Sequence, residues 1–269
     1  MDSSNETPTR NDKRHLACLD TPPEEKMPTL TSPVAVASAL DARIAELAAK
    51  YLPLAKEILA EAIRIPADYV DKPLEKGGDP LCGTSNHEQP RLEYLRKKIV
   101  EIQAVRKPED VFFDGFGNLV WWVEDPNDGI PAAQKKVVYI DGHTDTVKPL
   151  RTQWREKVVG ADCFDGLVDA SKLNKEFLKK ELGWTPPEPE WEHLLFGRGS
   201  ADQLGGVISA IIATKILVEL TGEGALKGAI VRSYGTACEE DNDGAGPMYL
   251  NREVFPTAGP EVIPDVVIL

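Results

Sequence analysis

The stretch VVYIDGHTDTV, Val137–Val147, decides how the rest of the chain is read. Val137 to Ile140 are apolar or aromatic; polarity then reverses, and an imidazole, His143, and a carboxylate, Asp145, arrive two residues apart. A short apolar run of this kind marks a buried strand. If the backbone stays extended past Ile140, His143 and Asp145 point to the same face. A strand ending on such a pair has two readings. The pair is hydrogen-bonded for structural reasons, or it is a metal ligand with the carboxylate that fixes its tautomer.

Two further clusters bear on that choice. In FGRGSADQLGG, Phe196–Gly206, the glycines allow a sharp turn into a helix and Asp202 stands at the turn. Taken alone, Asp202 is a helix-capping aspartate. A dinucleotide fingerprint needs a third glycine where Asp202 stands, so a nucleotide-binding reading is disfavoured. In GTACEEDNDG, Gly235–Gly244, Glu239, Glu240, Asp241 and Asp243 crowd one turn after an apolar strand. Such a turn can be a solvated acidic loop. Alternatively, one glutamate binds a metal while its neighbour handles a proton. Each cluster follows or abuts an apolar strand, and in open α/β sheets ligands collect at the carboxyl ends of strands. Histidine with several carboxylates is a ligand set for zinc and related divalent ions. Carboxylates packed into one crevice also repel each other unless protons or cations intervene.

The surrounding pattern supplies the sheet. Leu40, Ile44, Leu47, Tyr51 and Leu54 recur at helical spacing, with Pro53 expected to kink or split that helix. Ser85 and Glu88 have the spacing of a capping box before a second helix. DVFFD and NLVWWVE flank GFG as two paired strands, KKVVYID is a third, GGVISAIIATKILVEL is an apolar helix, and GAIVRSYGT and PDVVIL are strands again. Of the adjacent Trp121 and Trp122, one should be core and one exposed. The alternation of strands and helices gives an α/β class. Residues 1–33 are polar and proline-bearing and read as a disordered arm. Residues 34–269 form the catalytic-type domain, with 148–195 as an insertion into it.

Of 269 residues, 42% are hydrophobic and the net charge is −13. That charge argues against nucleic acid or an anionic membrane as partner, since both select a basic face. No apolar run reaches the ~18 residues of a membrane span, and the N-terminus has no apolar signal core. The four cysteines, Cys18, Cys82, Cys163 and Cys238, are widely spaced and read as free thiols. The cytoplasm is the expected compartment.

With GHTDTV, GRGSADQLGG and GTACEED in this order, the chain from about Val34 onward resembles the co-catalytic zinc hydrolases. This family includes acetylornithine deacetylase, succinyl-diaminopimelate desuccinylase, aminoacylase and the glutamate carboxypeptidases. The branch labelled selenium-metabolism-linked hydrolases is the most similar. The resemblance implies that His143 binds one metal, Asp202 bridges two, Glu240 binds the other, Glu239 is the general base and Asp145 orients His143. It implies two Zn²⁺ per complete site, with Co²⁺ or Mn²⁺ as substitutes, and hydrolysis of amide bonds in N-acyl amino acids or small peptides by a metal-activated water. It further implies a zinc-peptidase-like mixed sheet flanked by helices and a cis peptide after Asp202. Leu204 stands where the family usually has lysine.

The family pattern continues with a further carboxylate and a C-terminal histidine, and neither has a counterpart before Leu269. The inserted domain through which the family forms homodimers is also missing from the pattern. The chain is therefore expected to correspond to the N-terminal catalytic half. The alternative to an active hydrolase is an inactive family member that at most binds a metal or a partner.

Overall fold

In the computed structural model, which describes residues 38–68, 88–183, 186–240 and 244–269, the apolar runs assemble into one five-stranded sheet. The strands are β1 (Val111–Phe113), β2 (Leu119–Glu124), β3 (Lys136–His143), β4 (Ala229–Thr236) and β5 (Val266–Ile268). Their order is β1-β2-β4-β3-β5; β1, β2 and β4 run antiparallel in succession, while β3 is parallel to both β4 and β5. The helices are α1 (Ala39–Ile63), α2 (Glu88–Glu101), α3 (Arg151–Lys157), α4 (Lys175–Leu182), α5 (Leu204–Glu219) and α6 (Ala245–Tyr249). This is the α/β class that the alternating pattern implies, built as a mixed sheet flanked by helices.

Alternation along the strands builds two cores. Leu119, Trp121 and Val123 of β2 face one side with Val231 of β4, and α1, α2 and α5 cover them with Ile58, Leu95, Leu204 and Ile211. Val120, Tyr139 and Tyr234 face the other side, against Leu250 just past α6. The helix α5 is apolar nearly all round because it lies between the sheet and α1. Trp121 is fully buried and its indole N–H donates to Thr214 Oγ1 at 3.1 Å. Trp122 is half-buried rather than exposed, because both faces of β2 carry packed layers.

Pro53 neither splits nor ends α1, which runs from a Ser38–Asp41 capping box to Ile63. One missing amide costs less than the packing on both sides of it: Leu47 before the proline and Ile58, Leu59, Ala62 and Ile63 after it are all buried. The expected capping serine, Ser85, lies outside the described residues, as do the arm 1–33, His15, His87, Cys18, Cys82, Asp241 and Asp243. Glu88 opens α2 but turns its carboxylate inward, onto the ends of β3 and β4. The 148–195 segment holds α3 and α4 around its own cluster of Val158, Val168, Leu173, Leu178 and Trp191, and among its described residues none joins the sheet. Among the described residues, no helix is long and apolar enough to cross a membrane.

Candidate metal centre

The parallel pairing of β3 with β4 sets the site. Their register places His143 beside Thr236, so both strands leave the sheet at one level, and Glu239 and Glu240 follow three and four residues on. The start of α5, which precedes β4 in the chain, packs against the end of β3, with Gly142 making the approach possible. A Cβ on Gly142 would stand 2.9 Å from Val207 Cγ2 and 3.0 Å from Gln203 Oε1. The Asp202–Gln203 peptide is cis, as the resemblance implies.

His143 is buried, at 6% exposure. Its Nδ1 lies 3.0 Å from the Asp145 carbonyl oxygen and 3.3 Å from Asp145 Oδ1. Its Nε2 lies 2.9 Å from Asp202 Oδ1 and 3.8 Å from Glu239 Oε2. Both ring nitrogens thus face acceptors. Burial works against the charged imidazole, but hydrogen bonds to Asp145 and Asp202 and the charges of Asp145 and Glu239 outweigh it, raising the His143 pKa to about 9. The His143 backbone N–H donates to Gln203 Oε1 at 2.9 Å.

Asp145 is fully buried and does two things. It faces His143 Nδ1, and its two oxygens accept the backbone N–H groups of Glu239 (3.2 Å) and Glu240 (3.0 Å). One carboxylate therefore fixes both the imidazole and the glutamate turn. Burial raises the Glu240 pKa, with repulsion from Asp202 adding to it and His143 opposing.

Ligand atoms of His143, Glu239 and Glu240 lie within 4.8 Å of one another. Asp202, largely exposed, stands beside them against His143 Nε2 but outside that mutual radius. All five residues singled out in the sequence, His143, Asp145, Asp202, Glu239 and Glu240, therefore meet at one end of the sheet. The remaining described histidine, His193, has a side chain 74% exposed, beside Glu192. Two clefts flank the cluster. One of ≈ 430 Å³ is lined by Tyr139, Asp141, His143, Thr236, Glu239 and Phe255; the other, of ≈ 490 Å³, reaches Asp202 and Glu240 past Trp154.

Three supporting residues carry no clear signal in the sequence. Gln203 is hidden by its neighbour Asp202, and Glu88 by the capping-box spacing that explains it locally. Asn118 is buried at the start of β2 and bonds the Ala237 N–H, yet in the sequence it is an ordinary hairpin asparagine.

No family model and no curated relative matches this sequence. Solved structures with similar chain traces include the di-peptidase Dug1p of Saccharomyces cerevisiae, at 16% identity and TM-score 0.46 over 75% of this chain and 35% of that one. A M20 family metallo-carboxypeptidase from Sulfolobus solfataricus, Sso-CP2, aligns at 15% identity and TM-score 0.40 over 69% and 31%. Human carnosine dipeptidase 1 aligns at 13% identity and TM-score 0.49 over 82% and 40%. The chain spans well under half the length of each. At such identities and TM-scores these likenesses say nothing of activity, which has to be sought in the chain's own residues.

Proposed function

We propose that this chain carries the metal centre of a metal-dependent amide hydrolase acting on N-acyl amino acids or small peptides. The observation that carries the reading is the convergence of His143, Glu239 and Glu240, one imidazole and two carboxylates with ligand atoms within 4.8 Å of one another, at the carboxyl end of a parallel strand pair. An acidic surface turn alone would not bury an imidazole against two aspartates.

The donor set fits a divalent ion. His143 Nε2 points at the carboxylates while Nδ1 is held by Asp145, the arrangement that leaves one imidazole nitrogen for a metal. Asp202 and Glu240 would complete the set, and imidazole with carboxylate suits Zn²⁺, with Co²⁺ or Mn²⁺ as substitutes. Such an ion supplies Lewis-acid chemistry, acidifying water and polarising a carbonyl. The chain's own residues do the rest. Glu239, the more exposed of the glutamates, borders the 430 Å³ cleft and is placed to take a proton there and return it to a leaving nitrogen. Asp145 keeps His143 oriented and sets the Glu239–Glu240 backbone. The proposed compartment is the cytoplasm, supported by the buried free thiol Cys163.

The test is to purify the chain, measure bound zinc, and assay N-acetyl amino acids and dipeptides with added zinc or cobalt. Metal-dependent turnover lost in Glu239→Ala supports the reading. Bound metal without turnover favours the inactive, metal-holding alternative, and no binding refutes both.

A further inference from the structure

We propose that Glu88 is a positioning residue whose buried carboxylate ties together the two strand ends that carry the metal-binding side chains; the proposal rests on the metal-centre reading above. Glu88 is 5% exposed. Its Oε1 accepts from Thr144 Oγ1 at 2.9 Å, and its Oε2 accepts from the Cys238 backbone N–H at 3.0 Å. Thr144 stands between His143 and Asp145, and Cys238 immediately precedes Glu239. The two oxygens of one side chain therefore hold the residue next to each half of the cluster.

Two features show why the tie matters. Cys238 has φ +56°, a left-handed conformation that a residue with a side chain rarely adopts and that surrounding contacts must hold. Its N–H on Glu88 is such a contact, and the direction of the chain through Glu239 and Glu240 depends on it. Second, α2 is itself anchored. One turn beyond Glu88, the fully buried Arg91 donates from Nε to the carbonyls of Ala62 and Ile65 and from Nη1 to that of Thr144. Arg91 lies in the field of Glu88, Asp68 and Asp145 and supplies the countercharge a buried carboxylate needs. Glu88 thus transmits a fixed helix position to both ligand-bearing loops.

A carboxylate suits this task because it offers acceptors in two directions. Glutamine keeps one acceptor for the Cys238 N–H, which cannot reverse, while its amide can donate to the Thr144 hydroxyl oxygen. Alanine removes both bonds, and Thr144→Val removes the hydroxyl that bonds Glu88 and also reaches the Thr236 carbonyl, at nearly constant volume.

The experiment compares wild type, Glu88→Ala, Glu88→Gln and Thr144→Val. Co²⁺ affinity is read from visible absorption and chelator competition, and amide exchange in the metal-free protein is read by mass spectrometry. Glu88→Ala should weaken Co²⁺ binding by about tenfold to a hundredfold, the range for groups that orient ligands. Exchange over residues 236–240 should accelerate while β2 stays protected. Glu88→Gln should restore most of both, and Thr144→Val should fall between. Unchanged affinity and exchange in Glu88→Ala overturn the proposal, as does exchange raised equally throughout the chain. Should Glu88→Ala not fold, Thr144→Val decides by the same two readouts. Should wild type bind no Co²⁺, the metal-centre reading fails, and local exchange over 236–240 alone decides whether Glu88 holds the loops.

Discussion

Replacing Asn118 by alanine should destabilise the protein out of proportion to its size. Asn118 is fully buried where the β1–β2 turn enters β2. Its Oδ1 accepts from the Ala237 N–H at 2.9 Å, and its Nδ2 donates to Asp114 Oδ2 at 2.8 Å and to the Gly246 carbonyl at 3.2 Å. One side chain thus joins the hairpin, the end of β4 and the start of α6. Alanine removes three hydrogen bonds, each worth about 1 kcal/mol net, and leaves the buried Ala237 N–H without its acceptor, a further ~1–3 kcal/mol. A loss of about 4–6 kcal/mol follows, a large share of the ~5–15 kcal/mol that keeps a domain folded. Urea unfolding followed by tryptophan fluorescence measures it: with a slope of roughly 3 kcal/mol/M, the midpoint should fall by about 1.3–2 M at unchanged slope. Asn118→Asp provides a sign test. It keeps the acceptor but sets a second carboxylate against Asp114, so its deficit should shrink as pH falls and the acid protonates, whereas that of Asn118→Ala should not. A midpoint shift near zero for Asn118→Ala, or identical pH behaviour of the two variants, would refute the reasoning.

Other outcomes follow from the same contacts. Gly246→Ala should cost about 2–3 kcal/mol in the same urea assay, because its Cβ would lie 2.2 Å from the Ala237 carbonyl oxygen and 2.5 Å from Asn118 Oδ1. Trp121→Phe should cost about 2–3 kcal/mol by chemical denaturation, from the cavity and the lost bond to Thr214. Because the metal-free His143 pKa rises from 6.5 to about 9, a metal must displace a proton across that window. Calorimetry in buffers of different ionisation enthalpy should therefore show about one proton released per ion bound at neutral pH, falling away above about 9. The same shift stabilises the metal-free fold fully below pH 6.5, and that contribution should fade as pH rises through about 9, a trend that thermal melts can follow.

Much of the architecture is legible in the residues themselves. All five apolar runs are strands, and Gly142-His143 and Cys238-Glu239-Glu240 mark where two of them leave the sheet. The strand order is not legible, because β4 inserts between β2 and β3, and no local pattern encodes which strands become neighbours across a crossover. Pro53 shows the limit of local rules in one direction: the proline predicts a kink or a split, and the packing of Ile58, Leu59 and Ile63 keeps the helix from splitting. Glu88 shows the other. Its spacing from Ser85 points to a local cap, and nothing local announces that its carboxylate also reaches Thr144 and Cys238, distant in sequence. The site's chemistry resides in residue types and is visible early; its support resides in long-range hydrogen bonds that only the folded chain reveals.

The most direct test of the metal centre is Co²⁺ titration, read by visible absorption, of wild type, His143→Ala and His193→Ala. The account predicts saturable binding in wild type and in His193→Ala, whose imidazole is exposed, and affinity lower by about a hundredfold or more in His143→Ala. Equal binding by all three, or a loss in His193→Ala matching that in His143→Ala, would contradict it.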